Sequence, residues 1–129
     1  MTLVNTSVWV AVFRAARPLD LERLVPFDDV VTCLPVVQEV LQGFRDQRAF
    51  NVARRSMLAL PLVESPLGEP VFSTAIDLYR SARRAGLTVR SSANCLIAAC
   101  ALRNDLEVLH LDRDFVALSR VSPLRQRSA

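Results

Sequence analysis

Apolar and polar positions alternate along the chain in blocks that predict short strands separated by helices. Leu3-Val4 is a short apolar run passing into Asn5-Thr6-Ser7, residues that favour a helix N-terminus. Val8–Ala16 then predicts a helix closed by Arg17-Pro18, followed by a short helical piece over Asp20–Val25. Val30–Cys33 has the composition of a buried strand, and Pro35 suits the first turn of the next helix. On that helix Val36, Val37, Val40, Leu41 and Phe44 fill one arc, Glu39 falls just beyond its edge, and Gly43 suits its end. Arg48–Leu60 predicts a further helix, with Phe50, Ala53 and Met57 on one stripe and Arg54 and Arg55 off it. Leu62-Val63 is a candidate third strand, and the helical spacing of Phe72, Ala75, Ile76, Tyr79 and Ala82 ends at Gly86. Ser91-Ser92 offers a cap for Asn94–Leu102, which is apolar nearly all round, as helices buried against a sheet are. Val108–Leu111 is the next strand, Asp112–Leu118 a short helix and Val121–Leu124 a candidate edge strand. Strands alternating with helices predict an α/β sandwich with a mostly parallel central sheet flanked by helices.

Composition narrows the class. A chain of 129 residues with 51% hydrophobic and 22% charged residues is one ordinary domain with a core of its own, which excludes disordered and low-complexity chains. The densest apolar run, Cys95–Leu102, is far short of the ~18–20 residues a membrane helix needs, and no basic leader opens the sequence, so a cytoplasmic location without membrane attachment is expected. All 16 basic residues are Arg, against 13 acidic ones, and a formal charge of +3 is too mild to mark a nucleic-acid binder by itself. Aromatics at 6% are too few for single-strand stacking platforms. Cys33, Cys95 and Cys100 form neither a zinc pattern nor a disulfide framework and read as buried reduced thiols. No GxGxxG or P-loop glycine run is present.

Parallel α/β sheets gather their sites beyond the carboxyl ends of the strands. That rule brings five polar positions to one end: Asn5 after the first strand, Glu39 one turn into the helix after the second, Asn94 opening the buried helix, and Asp112 and Asp114 after the strand Val108–Leu111. Capping alone accounts for Asn5, Asn94, Asp112 and Asp114 singly, but not for Glu39 or for the convergence of all five.

These residues also carry a family resemblance. The segment Leu3-Val4-Asn5-Thr6-Ser7-Val8-Trp9 resembles the start of PIN domains, where an Asp normally follows the first strand. Leu34–Leu41 with Glu39 resembles that family's second acidic motif, Asn94-Cys95-Leu96-Ile97-Ala98-Ala99 its third (normally opening with Asp), and Val108–Phe115, ending Asp112-Arg113-Asp114-Phe115, its fourth. The short format, with Arg90-Ser91-Ser92 before the third motif, is similar to VapC toxins of type II toxin–antitoxin systems. The resemblance implies a single PIN-like three-layer domain over 1–129, with its core at about 2–118 and a basic C-terminal tail. It implies an endoribonuclease dependent on Mg²⁺ or Mn²⁺, a VapB-like antitoxin whose C-terminal segment obstructs the acidic pocket, an RNA substrate and a homodimer. Asn5, Asn94 and Asp112 would stand at the metal-ligand positions, with Glu39 and Asp114 as outer-shell or water-positioning groups.

The chemistry explains the acids. Mg²⁺ takes oxygen ligands, usually a few carboxylates, and a metal supplies the positive charge that lets RNA approach an acidic pocket. This chain departs from the family at two positions, Asn5 and Asn94, where an amide keeps the shape but loses a charge and gains an NH₂ donor. Two further acids would bring the formal charge from +3 to +1. The amides imply an inactivated toxin, through deliberate substitution or natural decay, with metal binding weakened. The alternative is a non-catalytic PIN-like protein that holds an antitoxin or RNA without cutting.

Several other residues have two readings. His110, the only histidine, suits either general acid/base work or a local strand-end hydrogen bond. Arg45, Arg48, Arg54 and Arg55 suit either a solvated face or one that meets RNA or antitoxin, and Arg90 is a candidate phosphate ligand. Trp9 and Phe13, at i and i+4, suit packing or partner binding, and the tail Arg120–Arg127 is expected to be loosely ordered.

Overall fold

The computed structural model describes residues 1–129. Five strands, β1 (Thr2–Val4), β2 (Val30–Cys33), β3 (Leu62–Val63), β4 (Glu107–His110) and β5 (Gln126–Ser128), form one sheet in the order β3-β2-β1-β4-β5, and every pairing is parallel. The helices between them are α1 (Thr6–Phe13), α2 (Leu34–Gln42), α3 (Gln47–Leu58), α4 (Glu69–Arg84), α5 (Ser92–Arg103) and α6 (Arg113–Ser119). Helix α1 packs on α2 and α2 on α3, while α4, α5 and α6 pack on one another.

The chain adds strands outward from β1 to β2 to β3, then crosses back to lay β4 on the other flank of β1 and continues outward to β5. The winding therefore reverses between β1 and β4. Right-handed crossovers on either side of such a switch open a crevice at the carboxyl ends of those two strands. Asn5 follows β1 there, and Leu111-Asp112 follows β4.

The core lies between this sheet and its helices. Leu3, Val4, Val30, Val31, Val108 and Leu109 are buried on the central strands, and both faces being covered explains why these strands read as continuous apolar runs. Helix α5 is buried from Asn94 to Cys95 and from Ile97 to Ala101, as its all-round apolar character requires. The three cysteines are buried and unbridged. Trp9 stacks on Phe13 with ring centroids 5.8 Å apart, and Phe13 meets Phe44 edge-on.

Three expectations are corrected. The first helix ends at Phe13, not Ala16: Arg17 takes a left-handed φ of 50° ahead of Pro18, and its carbonyl accepts from Arg14 Nε at 2.8 Å. The helical spacing over α4 holds, and its buried stripe is Val71, Ala75, Leu78 and Ala82, with Phe72, Ile76 and Tyr79 facing outward. The edge strand is Gln126–Ser128, not Val121–Leu124, because Pro123 has no N–H for a ladder while Ser122 Oγ closes the turn onto Leu118 O and Leu124 N. Residues 124–129 are accordingly not a loose tail. Leu124 is buried, and Arg127 bonds Glu107 Oε1 at 3.1 Å and Leu24 O at 3.2 Å.

Candidate functional site

Asn5 extends the β1–β4 ladder by one residue, its N–H donating to Leu109 O at 2.9 Å, before the chain turns into α1. Its side chain caps that helix: Oδ1 accepts from Ser7 N at 3.0 Å and from Ser7 Oγ at 2.7 Å. Ser7 Oγ in turn accepts from Leu111 N at 2.9 Å, which stitches the ends of β1 and β4 together. Thr6 Oγ1 donates to Glu39 Oε1 at 2.8 Å and ties the same turn to the half-buried carboxylate on α2.

Across the crevice, Ser91 caps α5 by accepting from Asn94 N. The Asn94 side chain then donates from Nδ2 to Asp112 Oδ2 and to Asp114 Oδ2, both at 3.0 Å. Asp114, only 4% exposed, has both oxygens engaged: Oδ1 accepts from Arg90 N and Oδ2 from Ser91 N, each at 3.1 Å. Asp112 caps α6 through Oδ1, which accepts from Asp114 N at 3.0 Å. Its own N–H donates to His110 Nδ1 at 3.1 Å, and His110 Nε2 lies 2.6 Å from Gln126 Oε1 on β5. An Nδ1 that accepts and an Nε2 that faces a carbonyl define the neutral Nε2–H tautomer. The buried ring is thus committed at both nitrogens, which is the local strand-end role.

Asn94, Asp112 and Asp114 therefore form one hydrogen-bonded network. Asn5 and Glu39 join the same end of the sheet through the hydroxyls of Ser7 and Thr6. Arg90 is tied to Asp114 by its backbone while its side chain is exposed. Arg54 and Arg55 lie on the exposed face of α3, around a cavity of about 390 Å³ that shares no residue with the cavity containing Asp112. Sequence reasoning read Thr6, Ser7 and Ser91 as helix-start residues within the family resemblance, without a role in the site, and missed Gln126, which carries no local signal.

The donor set decides how a cation would fare. An amide between two carboxylates can face them only with its NH₂, because its carbonyl oxygen there would meet acceptors alone. Asn5 is fixed the other way. Its Oδ1 must meet the Ser7 N–H, which leaves Nδ2 buried without a partner on a side chain only 1% exposed. A carboxylate at position 5 would keep the cap and present an acceptor oxygen where that orphaned donor sits. No group of three His, Cys, Asp or Glu residues is placed to hold a metal ion. Mg²⁺ demands oxygen ligands, whereas two of these side chains present N–H. As the chain stands, its residues do not fit a tightly held divalent cation.

A PIN-domain family model matches residues 2–121, and the chain belongs to the PIN-domain family. Within it the likeness is to VapC ribonucleases. Ribonuclease VapC11 of Mycobacterium tuberculosis is 35% identical over 134 residues, covering 99% of this chain and 98% of that protein, and a VapC ribonuclease of Mycobacterium bovis matches equally. Divalent-metal dependence is general among PIN-domain ribonucleases. Among solved structures, VapBC-5 from M. tuberculosis superposes with a TM-score of 0.75 at 23% identity, covering 99% of this chain and 98% of that one. FitAcB from Neisseria gonorrhoeae superposes at 0.74 with 20% identity, covering 98% and 96%. No helix of this chain is long and apolar enough to cross a membrane.

Proposed function

We propose that this chain is a VapC-like toxin with the scaffold of a metal-dependent endoribonuclease, held in an inactive form by Asn5 and Asn94. The observation that carries the reading is the Asn94 amide bonded to both Asp112 and Asp114 at 3.0 Å, with a second amide, Asn5, leaving a buried donor unpartnered. In the active form the side chains at positions 5, 94 and 112 would hold Mg²⁺ or Mn²⁺, with Glu39 orienting water and Asp114 holding the loop at Arg90-Ser91. In the chain as it stands the NH₂ of Asn94 takes the place of that positive charge. No cleavage step is then open to these residues, because nothing remains to polarise a phosphate or activate water.

The partner is a VapB-like antitoxin, in keeping with the solved neighbours that are toxin–antitoxin complexes, and the setting is the cytoplasm. The substrate is RNA, and the toxin acts as a homodimer. A second reading, a PIN-like protein that binds without cutting, is favoured by the closure of the Asn94 network, in which both oxygens of the Asp114 carboxylate are satisfied.

Cleavage of a structured RNA by the parent chain and by the Asn5→Asp/Asn94→Asp double variant, with Mg²⁺ or Mn²⁺ and with chelator, tests both. The expected result is metal-dependent cutting by the double variant alone. Comparable cutting by the parent overturns the inactivation. A folded double variant that neither cuts RNA nor arrests growth leaves the binding protein as the correct reading.

A further inference from the structure

From the arrangement of unpaired arginines beside the acid network, we propose that RNA leaves that network along α6, its backbone phosphates seated on Arg90, Arg113 and Arg120. The inference rests on the ribonuclease reading and adds the side chains that seat the substrate and its direction. A cavity of about 680 Å³ opens between the loop before α5 and the outer face of α6, and these three arginines line it together with Asp112 and Asp114. All three are exposed, and none takes part in the ion pairs of the chain, which use Arg23, Arg103, Arg125 and Arg127. The other charges facing the cavity are the two aspartates, so it carries a surplus of one positive charge even without a cation. The aspartates are moreover covered by N–H donors: Asn94 Nδ2 on both, and the amides of Arg90, Ser91 and Asp114.

The geometry suits a strand and not a single ion. Arg113 opens α6 and Arg120, its C-cap residue, keeps a right-handed helical backbone seven residues on, hence about two turns and roughly 10 Å along the axis, enough for successive backbone phosphates. Guanidinium forks bind phosphate oxygens bidentately. Arg90 is held at the acid end, because its own N–H donates to Asp114. The exposed Leu111 and Val116 supply apolar surface between the charges for ribose or base. Arg54 and Arg55, on the other cavity, lie off this path.

The test is binding of a fluorescein-labelled RNA hairpin to the full chain in metal-free buffer, by anisotropy from ~50 to ~200 mM salt. In that buffer the amide form leaves the probe intact. Removing one arginine from a phosphate should flatten the slope of log K against log[salt] by about one. Arg113→Gln/Arg120→Gln should therefore flatten it by about two, while Arg83→Gln/Arg84→Gln, which removes the same charge from α4, should leave the parent slope. All four side chains are exposed, so folding is expected to survive, and a melting curve checks it. An unchanged slope in the α6 variant, an equal flattening in both variants, or no RNA binding by the parent overturns the proposal. Metal-dependent cutting by Asn5→Asp/Asn94→Asp, measured separately, still decides the ribonuclease reading in each of those cases.

Discussion

Asn94 Nδ2 lies 3.0 Å from Asp112 Oδ2, with Asp114 Oδ2 at the same distance on its other side. Two carboxylates this close repel each other, and the neutral amide between them answers with one N–H donor to each. The site is thereby internally balanced, since Asn94 supplies by hydrogen bonds what a cation would supply by charge. On the proposed function, stability, metal response and activity would be coupled at this one side chain.

Asn94→Asp should expose that coupling. The substitution removes two hydrogen bonds to charged acceptors and sets a third carboxylate against two others, so a loss of about 2–4 kcal/mol is expected in chelator. Millimolar Mn²⁺ or Mg²⁺ should recover much of it. Asn94→Ala should also be destabilised, because Asp112 and Asp114 lose their donor, yet it should gain little from metal. Urea unfolding of the three proteins with and without metal is the measurement, and equal stabilities of parent and Asn94→Asp in chelator would refute the clamp.

Cys95 offers a pH test. Burial first, and the charge of Asp114 second, push its thiol from an ordinary value of 9.0 up to about 11. The folded protein therefore holds a proton that the unfolded chain releases, so the contribution of Cys95 to stability is fully present below pH 9 and is lost as pH rises from 9 to 11. The slope reaches at most about 1.4 kcal/mol per pH unit, roughly 2–3 kcal/mol in all. Cys95→Ala should abolish this part of the slope, whatever its offset in stability. In the native parent at about pH 8, none of the three buried thiols should react with a disulfide reagent. A rapid single-thiol reaction would contradict the burial.

How far the sequence alone reached is clearest at particular residues. The parallel sheet was legible because Leu3-Val4, Val30–Cys33 and Val108–Leu109 are covered on both faces and so are almost wholly apolar. Asn94, Asp112 and Asp114 were legible as a group because each stands at the start of a helix, Asp112 and Asp114 just beyond β4 and Asn94 in the first turn of the apolar α5. Gln126 was invisible: its role is a bond to His110 on the neighbouring strand β4, and neither residue has a neighbour in sequence that hints at it. Likewise the outward turn of Phe72, Ile76 and Tyr79 could not be told from an inward one, since α4 carries two apolar stripes one residue apart.

The ends of α4 and α5 provide a matched pair. Both close with the same two bonds: Gly86 N to Arg83 O with Leu87 N to Ala82 O, and Asp105 N to Leu102 O with Leu106 N to Ala101 O. Gly86 meets the required left-handed φ of 75° at no steric cost, whereas Asp105 adopts 52° with a side chain. Asp105→Gly should stabilise the protein by about 0.5–1 kcal/mol, because its exposed pair with Arg125 is worth little. Gly86→Ala should cost about 1 kcal/mol despite open space around a Cβ there. Thermal unfolding that moves both variants in the same direction would contradict this account.

The last strand connects the C-terminal residues to the site. Gln126 accepts from His110 Nε2, which fixes the tautomer whose Nδ1 takes the N–H of Asp112. Gln126→Leu removes that acceptor and leaves a buried N–H unpaired, which should cost about 1–3 kcal/mol. The ring can relieve the loss only by moving its proton to Nδ1, where it would confront the Asp112 N–H and disturb the cap of α6. Arg127→Gln, one residue on, gives up the Glu107 pair and the bond to Leu24 O but touches nothing in the network. In the Asn5→Asp/Asn94→Asp background, Gln126→Leu should therefore lower RNA cleavage as well as stability, and Arg127→Gln stability alone. Both variants are compared well below their unfolding midpoints, so that reduced activity reports the position of Asp112 and not the fraction unfolded. Equal cleavage by the two would show that β5 merely seals the sheet.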